Sequence, residues 1–249
     1  MTISLVATSH GTDVAAARSA ITALVDAVGA AAPHLDVREA FVDVQLPRVD
    51  TALDLVDGLA VVVPLLLAPG FHVRVDIGAA AQREWVVAAG TLGADDRLTA
   101  VMLRRLAQAG ATRDDVVVLG SAGSTDPDAL RSIDEAAGRL SAAWGSPVAV
   151  GHVGGSGTPM ADVVRAVRRP GRRVVIVSYL MAPGFFYDRM QRCGADVVTG
   201  PLLDGGAVAD ELVSLVLDRF AEAAEHLDWS AVGSLTALPR TCNQIRHVS

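Results

Sequence analysis

The second half of the sequence repeats the first, and this repeat restricts the folds that the 249-residue chain can adopt. Ala-Pro-Gly-Phe at 68–71 recurs at 182–185, an offset of 114 residues, and three other landmarks recur in the same order at offsets of 110 to 112. These landmarks are Ser-x-Gly at 9–11 and 121–123, a proline at 47 and 159, and Gly-x-Leu at 90–92 and 200–202. The pattern indicates a tandem duplication with halves at 1–112 and 113–228. The segment 229–249 has no counterpart in the first half, and we predict a loosely ordered tail.

Within each half, short β-branched segments alternate with longer Ala-rich segments that have helical periodicity. This alternation is typical of a parallel sheet with helices on both faces and strands buried on both sides. We predict an α/β fold in which two roughly four-stranded half-domains face each other across a cleft. The predicted strands are 3–8, 37–42, 59–67, 85–89, 115–120, 148–152, 173–179 and 195–199. The predicted helices are 13–31, 47–57, 73–83, 95–109, 126–144, 159–168, 185–193 and 206–227.

Composition argues against several classes of partner. The 21 basic residues are all arginine, they face 28 acidic residues, and no basic run is longer than two. A net charge of −7 therefore argues against nucleic acid and against an anionic membrane surface. The longest apolar run, at 59–71, contains two prolines and a glycine and is too short to cross a bilayer.

Two further features bear on the cellular compartment. The N-terminus lacks the basic segment and the cleavage pattern of a signal peptide. The two cysteines, Cys193 and Cys242, form neither a disulfide framework nor a thiolate metal motif, and no role is assigned to them. A cytoplasmic protein is expected. Because a linked pair of halves already supplies both walls of a cleft, a monomer is expected as well.

The two copies differ at the loops that follow the first and third strands of each half. The first copy has His10 and His72, whereas the second has Ala122 and Phe186 at the matching places. Ligands of open α/β sheets bind outside the carboxyl ends of the strands, where these loops lie. A lone histidine there is most often a turn or capping residue. Two histidines at matching positions, both replaced in the other copy, favour a joint role in metal binding or acid–base chemistry.

Three segments of the first half carry a family resemblance. They are the Ser-His-Gly loop at 9–11, the strand end Phe-Val-Asp at 41–43 with Pro47 four residues further on, and Pro-Leu-Leu-Leu-Ala-Pro-Gly-Phe-His at 64–72 with Asp-Ile at 76–77. Together they resemble the sirohydrochlorin chelatases, the class II chelatases, over about 1–228. The resemblance implies tandem chelatase-like, flavodoxin-like half-domains, of which the second is degenerate. It also implies insertion of a divalent metal into sirohydrochlorin, with Fe²⁺ giving sirohaem and Co²⁺ an early cobalamin precursor.

The resemblance also assigns roles by position. It implies that His10 and His72 are the metal-binding pair, and that Asp43 is catalytic at a position where the family usually has glutamate. Asp76 matches the family's acidic position, although Gly78 stands where a proline usually follows Asp-Ile. One helical turn after His72, the Asp76 carboxylate could orient the imidazole or accept its proton. The alternative interpretation of Asp76 is an exposed acid in the first turn of a helix.

The chemistry of metal insertion suits these residue types. Two pyrrole protons must leave while the metal ion loses its water, so the site needs bases that are also weak ligands. Imidazole, with an ordinary pKa of about 6.5, meets both needs, and activity is expected to fall as the pH drops through roughly 6.5. Only two or three protein ligands are expected, since a closed four-coordinate site would not release the ion. Fe²⁺, Co²⁺ or Ni²⁺ would be a substrate, and no permanently bound cofactor is expected.

Sirohydrochlorin is rich in carboxylates, so arginines and backbone amides are expected in the cleft. The residues predicted to contact the substrate are Ser9, Gly11, Thr12, Gly70, Phe71 and Arg74. An exposed helix arginine is the alternative interpretation of Arg74. His152 is a weaker candidate for lining the cleft, and substitution of Ala122 or Phe186 is expected to affect little besides stability.

Several functions remain open at this point. Iron is preferred as the metal because sirohaem, which serves sulfite and nitrite reduction, meets a broader need than cobalamin. A cobaltochelatase is the first alternative. A second alternative is a metal or tetrapyrrole carrier that binds stoichiometrically without turnover. A third is a flavodoxin-like small-molecule binding protein whose histidines are incidental.

Overall fold

The computed structural model describes residues 3–70 and 73–228, and it contains two four-stranded parallel sheets, one in each half. The first sheet has the order β2-β1-β3-β4 and comprises β1 (Ser4–Ser9), β2 (Asp36–Phe41), β3 (Ala60–Pro64) and β4 (Val86–Ala88). The second has the order β6-β5-β7-β8 and comprises β5 (Val116–Ser121), β6 (Ala149–His152), β7 (Val174–Tyr179) and β8 (Val197–Val198). The predicted α/β fold of two tandem half-domains is confirmed.

Eight α-helices flank the sheets in the described part of the chain. They are α1 (Ala15–Ala31), α2 (Val49–Leu53), α3 (Gly78–Ala80), α4 (Asp96–Gln108), α5 (Pro127–Trp144), α6 (Met160–Val167), α7 (Phe185–Met190) and α8 (Asp210–Ala224). A π-helical turn, Val73–Ile77, leads into α3. Each helix overlaps a predicted one. None of the helices in residues 3–70 and 73–228 is long and apolar enough to cross a membrane.

The central strands explain the apolar runs of the sequence. Every residue of β1, β3 and β7 is buried, as expected for parallel strands covered by helices on both faces. Strand β3 ends at Pro64, three residues before the predicted end at residue 67. Leu65 still donates its N–H to the Thr8 carbonyl at 2.8 Å, after which the chain leaves the sheet. Residues 65–67 are apolar for a different reason, since they line a cavity between the halves.

The same backbone hydrogen bonds join the first two loops of each half. The N–H of Val42 donates to the Ser9 carbonyl at 3.0 Å and that of Asp43 to the His10 carbonyl at 2.9 Å. In the second half the same bonds run from Val153 to Ser121 at 3.0 Å and from Gly154 to Ala122 at 2.9 Å. The structural counterpart of Asp43 is therefore Gly154, and that of His10 is Ala122.

One landmark of the repeat pairs differently in the structure. Phe41 forms a parallel bridge with Arg48, and His152 forms the same bridge with Pro159. The counterpart of Pro159 is therefore Arg48, and the sequence alignment of Pro47 with Pro159 is wrong by one residue. The offsets of the four landmarks range from 110 to 114 residues, and this spread is enough to conceal a shift of one residue.

The last helix of each half packs against elements of the other half. Helix α4 packs against β7 and α5, whereas α8 packs against α1, β3 and β4. Arg105 of α4 donates from Nε to the Pro201 carbonyl at 2.9 Å, and Arg219 of α8 donates from Nε to the Thr91 carbonyl at 3.0 Å. Pro201 and Thr91 are the matching residues of the repeated Gly-x-Leu landmark. The predicted boundary at residue 112 thus follows the repeat, while the packing of α4 crosses it.

Because the last helices are exchanged, the two halves share an apolar core. One large buried cluster contains residues from both halves, including Leu24, Val63 and Met102 of the first and Leu140 and Leu215 of the second. On its other face, each sheet packs against a smaller apolar cluster of its own. Because a single core joins the inner faces, the loops at the carboxyl ends of both sheets are held close to each other.

Candidate active site

A cavity of about 620 Å³ lies between the halves, at the carboxyl ends of the central strands. Loops after β1 and β3 form one wall, and loops after β5 and β7 form the other. Most of the lining is apolar, with residues 65–68 on one side and 180–183 on the other. This position is the usual one for ligands of open α/β sheets, and a few polar groups in an apolar cavity are typical of small-molecule sites.

The loop after β1 places His10 at this cavity. Gly11 has a φ of +90°, and a Cβ on this residue would lie 2.2 Å from the carbonyl oxygen of Asp43. Only glycine permits so close an approach of the two loops. The His10 side chain is exposed and lines the cavity, with Nδ1 3.3 Å from the Gly11 carbonyl oxygen. The sequence Ser-His-Gly therefore fixes an imidazole at the rim of the first sheet.

Asp43 lies beside His10 and carries a negative charge. Its carboxylate accepts a hydrogen bond from Nη1 of Arg48 at 3.2 Å, and its side chain is 54% exposed. The hydrogen bond from the Val44 N–H lowers the pKa of Asp43, and the charges of Arg48 and His10 act in the same direction. A carboxylate that interacts electrostatically with His10 can stabilise a positive charge on the imidazole.

The backbone next to Asp43 is strained. Val44 has a φ of +60°, in the left-handed region that a β-branched residue rarely adopts. Gln45 then accepts the Thr12 N–H at its Oε1, 2.9 Å away, and both Val44 and Gln45 line the cavity. Sequence reasoning missed both residues, since a valine gives no turn signal and a glutamine no chemical motif. Strain of this kind is concentrated at functional sites.

The structure brings some of the predicted residues together and leaves others untested. The predicted residues that line the cavity are Ser9, His10, Gly11, Thr12 and Gly70. Phe71 and His72 lie outside the described residues, as does the side chain of Arg74, so their roles stay predictions. The tail at 229–249, with Cys242, also lies outside them.

Three further expectations concern charged groups. Asp76 is half-buried in the π-helical turn. No arginine side chain lines the cavity within the part of the chain that the structure describes, so the expected arginine contacts are not found there. That same part holds no group of three or more His, Cys, Asp or Glu side chains that could bind a metal ion. His72, the predicted partner of His10, lies outside the described residues.

The second half carries different side chains on the same rim. Ala122 and Phe186 line the cavity where the sequence repeat places His10 and His72 in the first half. His152 is buried instead of lining the cavity, so that expectation is wrong. Its Nδ1 lies 2.8 Å from the Ser121 Oγ, and burial lowers the pKa of its imidazole. The position after a strand was a poor guide for His152, because its ring packs under the glycine-rich loop at Gly157.

Comparisons with known proteins identify a family model that matches most of the chain and solved structures with the same fold. The family model described as CbiX matches residues 4–109 and 116–198. SirB from Bacillus subtilis with Fe³⁺ is 20% identical, with a TM-score of 0.78 over 92% of this chain and 100% of that one. The sirohydrochlorin chelatase SirB from Bacillus subtilis subspecies spizizenii, in complex with cobalt, is 19% identical, with a TM-score of 0.73 over 91% and 97%.

A third solved structure has the same fold. It is CbiX, the terminal enzyme for biosynthesis of siroheme in denitrifying bacteria, which is 19% identical with a TM-score of 0.64 over 88% of this chain and 99% of that one. At such low identity these likenesses show the fold alone. A search of curated proteins finds no match to this chain.

Proposed function

Because the chain belongs to the CbiX family of sirohydrochlorin chelatases, we propose that it inserts a divalent metal ion into sirohydrochlorin. The observation that carries the proposal is His10, which lines a largely apolar cavity and lies beside the ionised Asp43. An apolar cavity suits the face of a tetrapyrrole, and an imidazole with a carboxylate beside it suits a metal ion that must be held and then released.

In this proposal His10 and His72 bind the incoming metal ion, which is a substrate and leaves with the product. Two imidazoles leave coordination positions open for water and then for the pyrrole nitrogens. Asp43 keeps a negative charge beside His10, which favours binding of a cation and stabilises the imidazolium formed when a pyrrole proton is accepted. Asp76 is proposed to orient an imidazole rather than to bind the metal.

The substrate contacts are proposed for the loops around these residues. Ser9, Gly11, Thr12 and Gly70 line the cavity and can offer backbone groups to the macrocycle or its carboxylates. Phe71 and Arg74 are retained as proposed contacts from the sequence. Both walls come from one chain, so we propose a monomer, and sedimentation that shows an obligate dimer would contradict this.

We propose Fe²⁺ as the metal, with sirohaem as the product. Support comes from two of the similar structures, SirB with Fe³⁺ and the CbiX of siroheme biosynthesis. SirB in complex with cobalt favours Co²⁺ as the second candidate, since imidazole and carboxylate suit both ions. The choice of metal is therefore a question for competition experiments.

An anaerobic assay of the purified full-length protein tests the proposal. Sirohydrochlorin in large excess is incubated with Fe²⁺, Co²⁺ or Ni²⁺ in parallel, and the absorption spectrum of the tetrapyrrole is followed. We expect many metallated equivalents per protein and the highest kcat/KM with Fe²⁺. Metal insertion without protein and with the double variant His10→Ala/His72→Ala are the controls. A spectral change that stops at one equivalent would contradict the enzyme and identify a carrier.

A further inference from the structure

Two phenylalanines at the start of α7 are exposed at the cavity. Phe185 is 62% exposed and Phe186 43% exposed, and both line the cavity on the wall that belongs to the second half. Phe41 and Phe220, the other phenylalanines among the described residues, are buried in the core. So exposed a ring contributes little to folding. The expectation that substitution of Phe186 affects little besides stability stays untested by the structure.

The two rings are arranged as a unit, which we call the aromatic wall. Their centroids are 5.4 Å apart at an interplanar angle of 78°, the edge-to-face geometry that aromatic pairs prefer. The guanidinium of Arg189 lies 5.5 Å from the centroid of Phe185 and packs over that ring. These contacts hold the rings in place while leaving much of their surface open to the cavity.

The aromatic wall lies where the second half has lost its polar groups. Cε1 of Phe186 is 3.7 Å from the place that a Cβ on Gly154 would occupy, and Gly154 is the counterpart of Asp43. An aspartate at Gly154 would bring its side chain against this ring. Where the rim of the first half has histidine and aspartate, the matching positions of the second half thus have alanine and glycine, with the Phe186 ring beside them.

We propose that Phe185 and Phe186 bind the tetrapyrrole by contact with the face of its macrocycle and hold it against the His10 side of the cavity. The inference rests on the proposed function, because it takes sirohydrochlorin as the occupant. A macrocycle with a π face can stack on aromatic rings, and the contact removes exposed apolar surface from water. The two halves then have different roles: the first binds the metal ion and accepts protons, and the second binds the macrocycle.

Direct binding of sirohydrochlorin to the metal-free, full-length protein tests the aromatic wall. Binding is followed under anaerobic conditions by the change in tetrapyrrole fluorescence, for the wild type and for Phe186→Ala, Phe186→Leu and Phe186→Tyr. We expect Kd to rise about tenfold for the alanine and leucine variants, whereas tyrosine keeps the ring and should stay within about twofold of the wild type. Phe185→Ala should raise Kd about threefold or more.

Two controls separate this contact from other effects. Leu55 is 65% exposed and does not line the cavity, so Leu55→Ala should leave Kd unchanged. Binding of Co²⁺ to each variant, measured without tetrapyrrole, should equal that of the wild type. Wild-type affinity in Phe186→Leu would show that the ring is not used and would overturn the inference. Wild-type affinity in both alanine variants, or a wild-type protein that binds no sirohydrochlorin, would overturn it as well.

The chelatase proposal is judged by a separate measurement. Turnover of the wild type with Fe²⁺ or Co²⁺ tests that proposal without any change in the aromatic wall. A wild type that binds sirohydrochlorin but does not metallate it repeatedly would contradict the enzyme. Kd values that still follow the expected order in such a protein would support the aromatic wall.

Discussion

The two rims of the cavity share a backbone and differ in the side chains that it carries. The N–H of residue 43 bonds to the carbonyl of residue 10 just as that of residue 154 bonds to the carbonyl of residue 122, at 2.9 Å in both cases. On this common frame the first half has histidine and aspartate, whereas the second has alanine and glycine. The second half shows that the frame folds without either polar side chain, so their presence in the first half calls for a functional reason.

The same comparison extends to backbone strain. Val44 has a φ of +60°, and its counterpart Gly155 has a φ of +68°. The second half uses glycine, which adopts this conformation without steric strain, while the first keeps a valine that lines the cavity. Among residues 3–70 and 73–228, Val44 is the one non-glycine residue with a positive φ, and it directly follows Asp43.

The largest expected effect is the loss of activity when either histidine of the first half is removed. His10→Ala and His72→Ala should each lower kcat/KM about a hundredfold, on the order of 3 kcal/mol of transition-state stabilisation. The double variant should be hardly worse, since the two imidazoles would act as a unit. Ala122→Ser, at the matching place in the second half, is the control and should keep wild-type turnover. Near-wild-type turnover in both histidine variants would mean that the active site lies elsewhere.

The next effect concerns the negative charge beside His10. Asp43→Asn should lower kcat/KM and Co²⁺ affinity about tenfold, because a neutral amide no longer attracts a cation or stabilises an imidazolium. Asp43→Glu keeps the charge and should recover most of the activity. Arg48→Gln removes the ion-pair partner but leaves the carboxylate, so it should change turnover less. Equal activity of the asparagine and glutamate variants would contradict a role for the charge.

A smaller effect is expected from the strained residue. Val44→Gly should raise the free energy of unfolding by about 1 kcal/mol, because relief of strain exceeds the greater entropy of the unfolded glycine chain. Gly155→Val should lower it, since its Cβ would meet the Ser124 backbone at 2.6 Å. Urea denaturation of both variants checks the two signs. A destabilised Val44→Gly protein would show that the left-handed valine is not strained.

The smallest expected effect is a difference in the pH dependence of stability. Burial holds the pKa of His152 below its ordinary value of about 6.5, with Asp134 acting weakly in the opposite direction. The unfolded chain therefore takes up this proton first as the pH falls. The contribution of His152 is complete above about pH 6.5 and is lost as the pH drops through the pKa of the folded protein.

His152→Phe places in the second half the residue that the first half has at Phe41. Its unfolding free energy, measured by urea denaturation between pH 7.5 and 5, should fall less steeply than that of the wild type. The absolute value can be lower at every pH, because Ser121 loses a hydrogen-bond partner. His34 is exposed, so His34→Gln should keep the wild-type slope. Equal slopes in all three proteins would contradict the effect of burial.

The architecture could be predicted because it depends on local patterns. Each predicted strand overlaps an observed one, since β-branched runs such as 174–177 are fully buried in the sheets. The exchange of α4 and α8 could not be predicted, because an amphipathic pattern shows that a helix has a buried face but not which sheet covers it. The extra length of the third predicted strand has the same origin, as residues 65–67 line the cavity between the halves rather than continue the sheet.

The site could be predicted only in part. His10 was found because a polar residue after a buried strand must lie at the carboxyl end of a parallel sheet. The contact of Asp43 with His10 depends on hydrogen bonds between two loops, and the exposure of Phe185 and Phe186 depends on how the halves meet. In sequence alone an apolar pair at the start of a helix resembles core. His152 gave the opposite error, since a histidine at a strand end is buried here.

The exchanged helices α4 and α8 hold the two halves together and thereby fix the width of the cavity between them. Turning one half away from the other would break the bonds of Arg105 to Pro201 and of Arg219 to Thr91, and would pull the Tyr179 hydroxyl from the Leu67 carbonyl, 3.4 Å away. The halves cannot open like a clamshell while these bonds persist. A flat macrocycle would then have to slide in edge first, past the loops at the mouth, and its metallated product would have to leave by the same route.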